Sequence, residues 1–193
     1  MAETLRTFIA VALTEEIRAV LEDIQGRLKP FHADVKWVEP HHIHLTLKFL
    51  GDVRPKDIPP LTETLKTALK ETPPIPTELT ELGAFPDLRH PRVLWVRLKD
   101  DAGRIAQLAA AIETAMGKIG YKKEQRDFKP HVTIGRVRSL KDIAPLIKGL
   151  QEYRFPKTFP QVIADITLFK STLTSSGPVY EILEKFDFPV SHD

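Results

Sequence analysis

The sequence predicts an α+β fold of two similar lobes, each an antiparallel sheet with helices on its outer face, arranged as a pseudo-twofold about a central cleft. Three observations lead there. Stretches with the two-residue alternation of strands outnumber those with the 3.6-residue period of helices. The connections between them are short. A helix followed, past a proline, by an alternating strand containing His-x-Thr occurs once in the first half and again after Asp100. With 193 residues, 42% of them hydrophobic, the chain can bury a substantial core, and residues 1–193 are expected to form one two-lobed domain.

Residues 6–13 read as a strand, after which Thr14 offers an N-cap and Glu15 and Glu16 suit the positive end of a helix dipole. The helix so begun carries Ile17, Val20, Leu21, Ile24 and Leu28 on one stripe, and Pro30 stops it. A short strand at 35–38 and Pro40 precede IHLTLKFLG, in which Ile43, Leu45, Leu47 and Phe49 alternate with His44, Thr46 and Lys48. A second helix over 55–71 places Leu61, Leu65, Ala68 and Leu69 on one side and ends at PPIP. Strands follow at 77–82 and 92–98. From Asp100 a third helix, with Ile105, Leu108, Ile112, Ala115 and Met116 on one face, leads to the strand PHVTIGRV. A short helix at 143–150, a strand at 162–171, a turn at 174–178 and a strand at 179–188 complete the chain.

Composition narrows the function. Lys and Arg number 28 against 26 Asp and Glu, so the net charge of +2 is too small for wholesale wrapping by nucleic acid, and any anion site must arise from local clustering. The absence of cysteine excludes disulfides, thiolate metal sites and cysteine nucleophiles. The apolar run in MAETLRTFIAVALTE is too short for a signal peptide or a membrane helix. A cytoplasmic protein with no membrane association is the expectation, and a monomer the expected state. Asparagine is also absent, proline is frequent at 16 and 28% of residues are charged, a combination seen in proteins from hot environments.

Two tetrapeptides carry the chemistry: His44-Leu45-Thr46-Leu47 and His131-Val132-Thr133-Ile134, each inside an alternating strand. Alternation projects the imidazole and hydroxyl of each motif to one side while the aliphatic residues face the core. If a pseudo-twofold relates the lobes, four such side chains line one cleft of a size for a tetrahedral phosphate. One neutral histidine then takes a proton from water while the other, protonated, gives one to the departing oxygen, and both tasks suit a side chain titrating near neutrality. Threonine hydroxyls bind phosphoryl oxygens. Neither a cofactor nor a metal is required, because imidazolium and hydroxyl donors can stabilise the charge developing on phosphate. A metal cluster of His41, His42 and His44 is disfavoured, since alternation puts His41 on the opposite face and acidic partners at suitable spacing are missing.

With the paired motifs, the opening RTFIAVAL, Trp37 ahead of HIHLTLKFLGDV, the segment PRVLWVRL and FKPHVTIGRV, nearly the whole chain resembles the two-histidine phosphoesterase superfamily, and within it the LigT-like RNA 2',3'-cyclic phosphodiesterases. The resemblance implies a LigT-like fold and hydrolysis of a 2',3'-cyclic phosphate at an RNA end, tRNA fragments among them, to a 2'-phosphate. It implies His44 as proton donor, His131 as acceptor, Thr46 and Thr133 as phosphate ligands, and a secondary reverse reaction joining ends through a 2'-5' linkage. It also implies an aromatic near the cleft for the terminal base, for which Trp37, Phe49, Phe85 and Phe128 are candidates.

Among basic residues that can contact RNA, Lys48 shares the histidine face by alternation, Arg126 lies in the loop entering the second motif, and Arg92 and Arg136 can contact the backbone, Arg136 on the parity opposite to His131. Trp95, inside VLWV, reads as core. Two other functions fit the motifs: a related hydrolase acting on a small cyclic phosphate or a 2'-5' oligonucleotide, and an RNA-end-binding module that retains the cleft without turnover.

Overall fold

A computed structural model describes residues 3–175 and 177–189. In chain order the elements are β1 (Leu5–Ala12), α1 (Glu15–Leu28), β2 (Val35–Trp37), β3 (His44–Val53), α2 (Ile58–Leu69), β4 (Ile75–Phe85), β5 (Val93–Leu98), α3 (Arg104–Lys118), β6 (His131–Val137), α4 (Ala144–Glu152), β7 (Pro160–Ile163), β8 (Asp165–Thr174) and β9 (Gly177–Asp187). They form two antiparallel sheets, ordered β3-β1-β8-β9 and β2-β6-β5-β4-β7. The two lobes of the expected fold are thereby present. β3 and β6, the motif strands, run beside each other where the sheets meet.

Side-chain acceptors meet the first turns of α1 and α3, the first of them the Thr14 that the sequence offers as an N-cap. The Thr14 hydroxyl accepts from the amide of Ile17 at 3.3 Å, and the Asp100 carboxylate accepts from the amides of Ile105 and Ala106, both at 2.9 Å, satisfying donors that the first helical turn leaves without partners. Ile17, Leu21, Ile24 and Leu28 of α1 are all buried, each contributing about 1.5–3 kcal/mol by leaving water. Among the described residues no helix is long and apolar enough to cross a membrane.

Local periodicity shows that a helix has an apolar face but not which sheet receives it. Here the lobes exchange helices. The helix after β1, in the first sheet, supports the second: Gln25 of α1, fully buried, donates from Nε2 to the carbonyl of Ile134 in β6 at 2.8 Å. The helix after β5, in the second sheet, packs on β3 of the first. α2 stays with the first sheet, against β9, and α4 with the second, against β4. The single strand expected at 162–171 is two strands, because the chain passes at Ala164 from the edge of the second sheet into the first. The turn expected at 174–178 includes Ser176, which lies outside the described residues.

A second departure matters more for the site. β3 pairs with β1 as Thr46 with Ala10 and Lys48 with Ile9, which leaves Leu47 as an extra residue; a second irregularity falls at Leu50. β6 pairs with β5 as Thr133 with Trp95 and Gly135 with Leu94, which leaves Ile134 extra. Each His-x-Thr motif is therefore followed at once by a β-bulge, and a bulge reverses the face of every later residue.

Candidate active site

On β3, His44 and Thr46 project partly exposed from the same face, while Ile43, Leu45 and Leu47 are buried. Nδ1 of His44 lies 2.8 Å from the carbonyl oxygen of His42. A carbonyl only accepts, so Nδ1 carries the proton and Nε2 is left with its lone pair. Rings of three other strands enclose the imidazole: Phe8 stacks on it at 4.8 Å between centroids, Tyr180 meets it edge-on at 5.4 Å and Phe169 lies at 6.4 Å.

The second motif repeats the arrangement. Nδ1 of His131 donates to the carbonyl of Lys129 at 2.5 Å, again freeing Nε2, and Thr133 shares its face, opposite Trp95. The surroundings are plainer: the ring of Phe85 meets the imidazole edge to face, 4.9 Å between centroids. The carbonyl of the bulged residue Ile134 accepts from Gln25 Nε2 and from the amide of Val38 at 3.0 Å. Gly135 follows, and a Cβ there would stand 2.8 Å from Val35 and 3.2 Å from Trp37, so only glycine lets β2 approach this closely.

Burial decides the protonation of both imidazoles. Desolvation pushes His44 down from 6.5 to about 4, only partly opposed by its hydrogen bond to the His42 carbonyl. His131 is lowered by the same cause, against the bond to Lys129. His42 is lowered by burial and then by its neighbour His41. In the free protein both motif histidines are thus neutral at pH 7.

The bulges correct three of the sequence readings. Lys48 does not face the cleft: it is 4% exposed, on the helix side, with Nζ 2.7 Å from Glu113 Oε2 of α3 and 2.9 Å from the carbonyl of Lys122. Phe49, which alternation sends to the core, turns to the histidine face at 67% exposure, 6.1 Å from Phe8. Arg136 moves onto the His131 face, paired across the sheet with Val93 and Lys36, and its charge, with that of Arg6, opposes the burial that raises the Tyr180 phenol. Trp95 is buried as expected but on this face rather than in the aliphatic core: its ring lies over Gly83 and against Phe85.

The other expected residues are less engaged. Arg126 is largely exposed and its guanidinium is held by Glu124, at 3.1 and 3.0 Å. Arg92 is exposed, its backbone bonded to Phe85 and Val137. His41 is not placed by strand alternation at all, since Pro40–His42 forms a 3₁₀ turn in which the rings of His41 and His42 lie 4.0 Å apart. Among the described residues no group of three His, Asp or Glu side chains is placed to hold a metal. Sequence reasoning passed over Phe8, Phe169, Tyr180 and Arg97. Arg97 is the cross-strand partner of His131, ion-paired to Glu81 at 2.7 Å. No local motif marks any of the four; only the strand pairing brings them to the histidines.

An α+β pair of antiparallel sheets that brings two His-x-Thr strands together is the LigT-like architecture. The chain belongs to the 2'-5' RNA ligase superfamily, whose family model matches residues 13–170. Among its relatives is the RNA 2',3'-cyclic phosphodiesterase of Aquifex aeolicus (strain VF5), 34% identical over 185 residues that make up 95% of this chain and 97% of that one. The enzyme of the same name from Methanothermobacter thermautotrophicus is 32% identical, over 94% of this chain and 97% of its own. Of the solved structures, TT0787 of Thermus thermophilus superposes with a TM-score of 0.79 at 28% identity, covering 97% of this chain and all of that one. Escherichia coli LigT complexed with 3'-AMP gives 0.78 at 23% identity, over 96% and 99%, a likeness of fold.

Proposed function

We propose that this protein hydrolyses 2',3'-cyclic phosphate ends of RNA to 2'-phosphates, with His131 as general base and His44 as general acid. The observation that carries this reading is the matched pair of imidazoles, each fixed by an Nδ1–H bond to the carbonyl two residues before it, on adjoining strands. Relatives named RNA 2',3'-cyclic phosphodiesterase over nearly the full chain support the substrate.

The steps follow from the two free Nε2 atoms. Water attacks phosphorus and yields its proton to His131 Nε2. The bond from phosphorus to the 3' oxygen breaks, and that oxygen takes the proton of His44 Nε2, leaving a 2'-phosphate and a 3'-hydroxyl. His44 must therefore be charged in the complex although burial holds it neutral without substrate. The phosphodiester anion supplies the compensating charge, so the proton donor is charged when substrate is bound. Thr46, Thr133 and Arg136 bind the nonbridging oxygens, a role for which hydroxyl and guanidinium donors suffice without a metal. Phe49, exposed on the His44 face next to Phe8, is the aromatic best placed to stack on the terminal base. Run in reverse, the same proton transfers would join a cyclic phosphate to a 5'-hydroxyl. The protein is expected to act in the cytoplasm as a monomer.

Turnover of a short RNA ending in 2',3'-cyclic phosphate, in EDTA, tests this reading. A 2'-phosphate product at an undiminished rate is expected. A 3'-phosphate product, or activity that returns only with added metal, would refute the mechanism, and turnover confined to small cyclic nucleotides would refute the substrate.

A further inference from the structure

Lys48 is a buried cation that the reaction above does not use. The bulge at Leu47 sends it away from the histidine face, and its side chain keeps 2% of its exposure while that of Glu113 keeps 13%. A lysine and a carboxylate taken this far out of water need every hydrogen bond they can make. The bonds they make converge on one segment. Lys48 Nζ donates to Glu113 Oε2 at 2.7 Å and to the carbonyl of Lys122 at 2.9 Å, and the same Oε2 accepts from the amide of Glu124 at 3.2 Å.

Residues 122–129 belong to the segment that joins α3 to β6 without helix or strand. Their far end carries the Lys129 carbonyl that holds His131 Nδ1, followed by Pro130, whose carbonyl accepts from the amide of Leu98 at 3.1 Å. The near end is fastened by Lys48 and Glu113. Lys48 itself stands two residues beyond Thr46 on the other motif strand, and Glu113 sits on α3, the helix that the second lobe lends to the first sheet.

We propose that Lys48 is a positioning residue: through Glu113 it ties down the loop whose last carbonyl orients His131, so that the strand of one motif sets the imidazole of the other. This rests on the catalytic reading of His131 for its effect on rate, but not for its effect on the imidazole. A loosened loop no longer presents the Lys129 carbonyl, and His131 then samples both neutral tautomers.

The test compares wild type, Lys48→Met, and the double variant Lys48→Met/Glu113→Gln, which leaves no unpaired buried charge and keeps an acceptor for the Glu124 amide. Imidazole ¹⁵N spectra, recorded well below Tm, are expected to show His44 as the Nδ1–H tautomer in all three and His131 as a mixture in both variants. With cyclic-phosphate RNA, kcat is expected to fall about ten- to hundredfold, with KM little changed, and to stay low in the double variant even as Tm recovers. An unaltered His131 tautomer in the double variant, or kcat that recovers with Tm, would overturn the proposal. Wild-type inactivity on the RNA would instead count against the proposed function and leave the tautomer result to decide the tether.

Discussion

The two motif halves share a backbone and differ in what surrounds it. In both, a histidine and a threonine precede a bulge, and the imidazole donates from Nδ1 to the carbonyl two residues earlier. His44 sits among Phe8, Phe169 and Tyr180, whereas His131 meets one ring, that of Phe85. After the bulge the first half carries a buried, ion-paired lysine and the second a glycine under Val35 and Trp37. Strand geometry thus delivers equivalent nitrogens, and the packing around them decides their proton affinities.

The largest effect that can break this comparison is loss of either imidazole. His44→Ala and His131→Ala are each expected to lower kcat by about 10³-fold or more, measured in single turnover on cyclic-phosphate RNA; near-wild-type turnover by either would end the claim that both halves act. Thr46→Ala and Thr133→Ala should each cost about 10- to 100-fold in kcat/KM, and unequal losses would show which half carries more of the phosphate. Phe49→Ala tests the asymmetry directly, because the second half exposes no equivalent ring. A rise in KM of about tenfold with kcat held is expected for a lost stacking contact of about 1–3 kcal/mol, and an unchanged KM would place the base elsewhere.

The smallest effect concerns stability against pH. Burial lowers the folded pKa of His44 from 6.5 to about 4, so the unfolded chain binds the proton more readily. Its contribution is complete above pH 6.5 and is lost as pH falls from 6.5 towards 4, by about 3 kcal/mol at about 1.4 kcal/mol per tenfold change in proton binding. Tm should fall over that window in wild type and fall less in His44→Ala. Equal slopes would mean that the ring box does not desolvate the imidazole.

Much of this was legible in the residues. Period located the four helices, with a capping residue legible only at Thr14, and alternation in IHLTLKFLG and PHVTIGRV put each histidine with its threonine and sent Leu45, Leu47, Val132 and Ile134 to the core. What failed traces to the bulges. One inserted residue is invisible to a pattern of alternation, so Lys48 and Phe49 exchanged faces and Arg136 came round to the histidine side. Nor could periodicity show that α1 and α3 cross between lobes or that Tyr180, far along the chain, closes over His44, because strand order is a long-range property. The split of the strand expected at 162–171 has the same origin: Ala164 marks a change of sheet without a proline or glycine to announce it.

The central claim is that two imidazoles, one from each half, perform one hydrolysis. The most direct measurement is single-turnover cleavage of an RNA ending in 2',3'-cyclic phosphate by wild type, His44→Ala and His131→Ala in EDTA, with the product isomer identified. A 2'-phosphate from wild type and almost none from either variant is the expected result. Comparable 2'-phosphate from one of the variants would contradict it.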